Sequence, residues 1–345
     1  MSDRGAWTAI AELYHRFLTG SLLAMVVRSG TDRAERVVFR IFRTQHLDLF
    51  LPGLAKLELD DLPDAVACAK YHVLSNSIGG VDVVWIPDSD RRSWVRYRPP
   101  RWIWDGTAVC GIPTELSRAM LRGWHGHNGA SLDNPRLGFV CTMQTTDGQP
   151  GLEGYYVEED EPLDEADKVR FRPGERPPGP PAELALPTWP PDRLAKAERN
   201  YAAAYVANLL EAMPAELGPG EAVGVGALAA RQVAMQYHGA VMDLLGPDPG
   251  GGSDDLAARL ARLIGAQGDE VVVERSGDEA VIRLSSWRLA GPGRADQRPR
   301  HPAAFDIWNG LWDGLAAMED RRLVVEARLD HGDPATVWRL PAPSA

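Results

Sequence analysis

The sequence predicts an α+β fold built from two tandem copies of a helix-rich module with antiparallel hairpins, packed as a pseudo-dimer. Three observations predict it. Two long helical runs close almost alike, "SLLAM" ending at Met25 and "NLLEAM" ending at Met213. Each is followed by a second apolar run of helical spacing, "VVFRIFRTQHLDLF" and "ALAARQVAMQYHGAVMDLL". Each half then repeats an Asp-Asp-Leu start, a short helix and a glycine stop, as in "DDLPDAVACAKYHVLSNSIGG" and "DDLAARLARLIGAQG". Self-similarity over so long a period is the mark of a duplicated unit.

The remaining elements follow in order. After each glycine stop come two alternating stretches around a turn, which read as a hairpin. A further helix follows, "TELSRAMLRGW" in one half and "FDIWNGLWDGLAAM" in the other, and then a second hairpin turning at Asp147-Gly148 or Gly332-Asp333. Between the halves, "RPGERPPGPPAELALPTWPP" is too rich in proline for a helix or a central strand, because proline fixes φ and lacks the amide donor. It should run extended across the surface. The expected organisation is a first α+β repeat over residues 1–160, a Pro-rich linker over 161–191 and a second repeat over 192–345.

Composition narrows the function. The formal net charge of −11 opposes nucleic acid and anionic membranes as main partners, since the dominant electrostatic term is repulsive. Three cysteines, Cys68, Cys110 and Cys141, show no Cys-x-x-Cys spacing and form no disulfide framework. A reducing, cytoplasmic setting is expected. The opening helix carries Glu12, His15 and Arg16 inside its apolar pattern, which fits neither a signal peptide nor a spanning helix. No Gly-rich phosphate loop, nucleophile elbow or His-Glu-x-x-His helix occurs.

The closing segment "FDIWNGLWDGLAAM" with "RRLVVEARLDHGDPATVWRL" resembles the end of 4-vinyl reductase-like and haem-NO-binding-like α+β domains. Among these it is most similar to the L-2-amino-thiazoline-4-carboxylic acid hydrolases. The family's Gly-Asp-Pro-x-Cys-x-Phe is matched by Gly332, Asp333, Pro334, Thr336 and Trp338, with threonine where the family has cysteine. The resemblance implies a small-molecule site in a pocket of an α+β module, in families that span ring-opening hydrolases and ligand sensors. Chemistry that needs a thiolate at Thr336 is not expected.

Candidate site residues come from places where the halves differ. "GWHGHNG" sets His125, His127 and Asn128 opposite the apolar "IWNGLWDG", with His125 near Asn309 and His127 near Leu311. "KYHVLSN" puts His72 and Asn76 on one helical face, against Ile264 and Gly268. His72, His125 and His127 are the candidate metal ligands, with zinc or manganese as the candidate ion, because a catalytic zinc takes about three such ligands plus water. A His-x-His pair converges only if the segment is extended; histidines at a helix end also simply cap carbonyls. Asp105, Glu115 and Glu153 are the candidate acid-base residues. Arg96, Arg98 and Tyr97, with Asn76 and Asn128, are the candidate substrate contacts, a guanidinium fork and an aromatic face suiting a small carboxylate. Arg101 belongs to the same "RSWVRYRPPRW" stretch, and His46 matches His238 of the second copy, which suggests a structural role for both.

These residues point to a hydrolase that opens or cleaves a small carboxylate-bearing cyclic substrate of lactone or thiazoline type. The rival reading is a sensor or carrier that uses the same pocket without catalysis. A homo-oligomer is compatible with either.

Overall fold

The computed structural model describes residues 3–101, 103, 105–186, 188–247, 256–276, 279–284, 287–290, 301–319, 321, 326–329 and 336–341. The fold is α+β and divides into two compact units. The central unit is Gly30–Pro190; the terminal unit joins Met1–Ser29 to Pro191–Ala345. Residues Gly332, Asp333 and Pro334 of the family-like ending lie outside the described set.

The central unit begins with helix α2 (Thr31–Lys56), after α1 (Arg4–Ser29), which belongs to the terminal unit. Then come α3 (Asp64–Ile78), the hairpin β1 (Val83–Ser89) and β2 (Arg92–Tyr97), α4 (Thr114–Trp124), α5 (Asn128–Ser131), β3 (Leu137–Met143), β4 (Leu152–Glu158) and β5 (Val169–Phe171). The strands form one sheet in the order β1-β2-β4-β3-β5, antiparallel except for the β3–β5 pair. Helix α3 packs on β1, β2 and β4, and α4 packs on α2.

The terminal unit combines α1 with α6 (Pro191–Leu217), α7 (Pro219–Leu245), α8 (Leu256–Ala266), β6 (Val271–Ser276), β7 (Glu279–Leu284), α9 (Ala303–Glu319), β8 (Glu326–Leu329) and β9 (Thr336–Pro341). Its strand order, β6-β7-β9-β8, matches the first four strands of the central sheet. The first helix, expected to belong with the 1–160 repeat, packs on α6, α7 and α8. Its most apolar window is long and apolar enough to cross a membrane by length and composition, and 61% of that window is buried in the protein.

Shared backbone landmarks set a register between the units. Gly30 and Gly218 precede α2 and α7 with nearly equal dihedrals, φ 90° and ψ 158° against φ 82° and ψ 151°. Only glycine enters that region at no steric cost. A Cβ on Gly123 would stand 2.7 Å from the Phe39 carbonyl oxygen, and one on Gly310 would stand 2.5 Å from the Ala227 oxygen. Phe39 and Ala227 occupy the same position counted from those caps. Gly80 and Gly268, at φ 71° and 113°, close α3 and α8 alike, and Tyr97 pairs with Val83 and Leu152 as Leu284 pairs with Val271 and Thr336.

The proline-rich stretch is more than a connector. It starts in the sheet as β5, and Arg172 and Gly174 continue onto Cys141 and Thr142 through backbone hydrogen bonds. It then reaches the opposite edge, where Ala182 pairs with Trp85. Proline is tolerated there because edge positions need only half of the ladder donors. The core of this face is Ile86, Trp94, Val140 and Tyr155.

The helix contact at Gly123 gives a direct test. Gly123→Ala and Gly310→Ala each force a methyl into a backbone carbonyl and should destabilise by about 1–3 kcal/mol, read by denaturant unfolding. Gly224→Ala on α7, where a Cβ meets nothing within 4 Å, should be neutral or gain about 1 kcal/mol.

Candidate functional site

Strand alternation sorts the central unit's polar residues between two faces. Successive side chains point to opposite sides of a sheet. Tyr97, Ser93, Leu152 and Tyr156 therefore share the face that α3 covers, whereas Arg96, Trp94, Glu153 and Tyr155 share the other, as the pairs Arg96–Glu153 and Trp94–Tyr155 show.

On the helix-covered face lies a cluster of almost wholly buried polar side chains. His46 (1% exposed), His72 (4%), Tyr97 (3%), His125 (6%), Asn128 (0%) and Tyr156 (0%) meet there with Cys68 (0%). The His72 and His125 rings stack at 4.4 Å between centroids with 12° between planes. Nδ1 of His72 is 2.7 Å from the Tyr97 hydroxyl, and Nδ1 of His125 is 2.5 Å from that of Tyr156. The Asn128 amide donates to the Tyr156 oxygen at 3.1 Å. Trp124, Tyr71 and Phe139 wall the group. Among the described residues, Nε2 of His46 and His72, Oδ1 of Asn128 and Nε1 of Trp124 have no hydrogen-bond partner.

The electrostatics follow from burial. Desolvation holds His72 and His46 down at about 3 and His125 well below the usual imidazole value, with neighbouring His72, Arg101 and His46 adding to the effect on His125. Burial likewise pushes the Cys68 thiol and the Tyr156 phenol up. The cluster is thus uncharged at neutral pH. Two guanidinium groups border it, Arg43 at 2.9 Å from Nδ1 of His46 and Arg101 stacked over the Tyr97 ring at 5.0 Å.

The residues expected from sequence distribute unevenly. His72, His125, Tyr97 and Asn128 come together. His127 does not join them: residues 125–127 form a 3-10 turn, so two positions along the chain rotate the ring by roughly 240°. Its Nδ1 lies 3.0 Å from the Arg122 carbonyl and it remains half-buried. Among the described residues no group of three His, Cys, Asp or Glu side chains is placed for one metal ion. Parallel stacked imidazoles also aim their in-plane lone pairs side by side and do not converge them.

Glu153 is buried on the opposite face of the sheet, bound to Arg96 at 2.5 Å with Thr142 beside it. Strand parity thus separates both from the histidines. Arg98 is exposed beside Asp82 at 3.4 Å. Glu115 is exposed in the first turn of α4, a position that suits a carboxylate near a helix N-terminus. Asp105 is half-buried ahead of the turn Gly106–Gly111. Asn76 spends its amide on the His72 carbonyl at 2.9 Å. Sequence reasoning passed over Cys68 and Tyr156 and gave His46 a structural role. Their signal was a titratable or hydroxyl group at an apolar position of a periodic element, visible once the register is known.

That register gives the most informative comparison. Counted from the shared glycines and strand pairs, His46 corresponds to Ala234, Cys68 to Leu256, His72 to Leu260, Tyr97 to Leu284, His125 to Trp312, Asn128 to Leu315 and Tyr156 to Leu340. Every counterpart is apolar. The sequence pairings of His125 with Asn309, His72 with Ile264 and His46 with His238 shift by about one helical turn or less, because the capping glycines, rather than short sequence likenesses, fix the register. The terminal unit's own buried polar group is arranged differently: Trp308 donates to the Tyr14 oxygen at 3.0 Å, Tyr14 to Gln267, and Gln267 to Asp269 at 2.5 Å. Arg288 and Arg199 donate to the Gln267 and Ala266 carbonyls at the end of α8, as cations favour helix C-termini.

Two outcomes are expected. Because the buried histidines are neutral when folded and take up a proton below about 6.5 when unfolded, stability is lost as pH falls from 6.5 toward 3. Each such histidine contributes a slope of about 1.4 kcal/mol per pH unit, measured by urea unfolding across pH. In His72→Leu/Tyr97→Phe, which removes both ends of one hydrogen bond, that slope should fall by one group while stability at pH 7 is kept or raised by about 1 kcal/mol. A loss of several kcal/mol at pH 7 would make the pair a structural element. Comparison of the chain with protein-family models, with curated proteins and with solved structures finds no match.

Proposed function

We propose that the central unit binds a small molecule at the His72–His125–Tyr156–Asn128 cluster, and that the chain arose by duplication of one α+β unit whose other copy kept an apolar core. One observation carries this reading: seven positions that are apolar in the terminal unit are occupied here by His, Tyr, Asn and Cys. The same strand order is built with leucine, alanine and tryptophan at those places, so the fold does not require the polar set. Burying polar atoms without partners costs about 1–3 kcal/mol each, a cost that a bound ligand would offset.

The rival is the hydrolase expected from sequence, acting on a small cyclic carboxylate. It draws support from His125 and Arg101, a neutral imidazole beside a guanidinium, which together suit a carbonyl or carboxylate. Of its expected acid-base residues, Asp105 stands closest in the chain to Arg101. A zinc- or manganese-assisted form needs ligands beyond His72 and His125.

Native mass spectrometry after exposure to a small-molecule extract of the source cells tests the binding reading. Wild type should retain a mass that His72→Leu/Asn128→Leu releases; retention by both, or by neither, refutes it. Elemental analysis of the same samples separates the rival, which gains from zinc or manganese near one per chain that the variant lacks.

A further inference from the structure

The buried cluster contains a directional chain of hydrogen bonds. Asn128 Nδ2 can only donate, and it donates to the Tyr156 oxygen at 3.1 Å. The Tyr156 hydroxyl is wholly buried and His125 Nδ1, at 2.5 Å, is the acceptor within its reach among the described residues. A phenol that accepted from both neighbours would leave its own O–H buried and unpaired, which costs more than the alternative. The proton therefore lies between Tyr156 and His125 with Tyr156 as donor. Nδ1 of His125 is then an acceptor, and a neutral imidazole in that state carries its hydrogen on Nε2.

Nε2 is the other polar end of the ring. His125 is 6% exposed, and with Nδ1 spent on Tyr156 its Nε2 is the ring nitrogen left for a further partner. His46 extends the same polarity inward from the surface. Arg43, which has only donors, approaches Nδ1 of His46 at 2.9 Å, which places the His46 hydrogen on Nε2. His46 Nε2 and Asn128 Oδ1 are each buried without a hydrogen-bond partner among the described residues. The continuous relay is thus Asn128 to Tyr156 to His125.

We infer that this relay fixes His125 as a neutral Nε2–H donor, so that the small molecule presents an uncharged acceptor, a carbonyl-type oxygen, to that atom, with Asn128 and Tyr156 as positioning residues. His125 is therefore no general base. The aromatic walls Tyr71, Trp124 and Phe139 suit a flat ring carrying the acceptor. The ligand half of this inference rests on the small-molecule reading; the tautomer half does not.

Long-range proton–nitrogen correlation spectra of histidine-labelled protein at pH 7 test it, with His125 assigned by its loss in His125→Gln. The expected result is the Nε2–H pattern for His125. In Tyr156→Phe the ring should become a mixture with the Nδ1–H form, while Tyr155→Phe, on the other face of the sheet, leaves it unchanged. An Nδ1–H or doubly protonated ring in the wild type overturns the relay, whatever binds. For the ligand half, acetophenone at millimolar concentration should move the His125 nitrogen signals and 1-phenylethylamine should not. Tyr156→Phe should weaken acetophenone about tenfold, the worth of one oriented hydrogen bond. Movement by the amine, or by neither probe, overturns that half. A correct tautomer with no retained mass in native mass spectrometry would instead count against the small-molecule reading alone.

Discussion

The close approach of α4 to α2 at Gly123 governs the central unit. With hydrogen in place of a methyl group, the two backbones come within a distance that any side chain would forbid, since a Cβ would sit 2.7 Å from the Phe39 oxygen. The residues that follow Gly123 are thereby carried under the sheet. His125 meets Phe139 and Tyr156 on the strands, and Asn128 comes beside Cys68, His46 and Tyr156. The terminal unit makes the same approach at Gly310 and spends it differently, burying Leu311, Trp312 and Leu315. One backbone device thus supports two interiors.

Polar interiors are expensive, and this one stays uncharged to limit the expense. The imidazoles are neutral, Tyr156 and the Cys68 thiol keep their protons, and the nearby ion pair Arg96–Glu153 is kept on the opposite side of the sheet. Stacked His72 and His125 could not both be protonated at 4.4 Å without mutual repulsion. The arrangement gives hydrogen-bond direction without net charge, which suits recognition of a neutral group more than stabilisation of an ion. The contrast with the network of Tyr14, Gln267 and Asp269 is instructive. There the donors and acceptors close on one another and on the end of α8, as a structural network should.

Much of this was legible in the chain. The alternation of helices and hairpins, the glycine stops and the Asp-Gly turn predicted the element order, because periodicity and turn chemistry act locally. The suspicion attached to His72, His125 and Asn128 also came from sequence, as polar residues facing apolar ones across the two halves. Other expectations depended on geometry that local rules do not carry. His127 was grouped with His125 because their spacing suits an extended strand, whereas the segment forms a 3-10 turn. Glu153 and Arg96 were grouped with the histidines although strand parity sends them to the other face; that parity is readable only when it is known which face the helices cover. Counted from the capping glycines Gly30 and Gly218, His46 stands at the position of Ala234 and not of His238.

By itself, then, the sequence determined the kinds of element, their order and the presence of imidazoles and hydroxyls at places where a core wants hydrocarbon. Only the tertiary structure decided that α1 packs with α6 and α7, that β5 and the proline-rich stretch complete the central sheet, and which polar residues face one another. The reason is physical. Propensity, turns and periodicity act over a few residues, while the partner of a buried hydroxyl is chosen by how helices and a sheet more than a hundred residues apart in places come to lie in space.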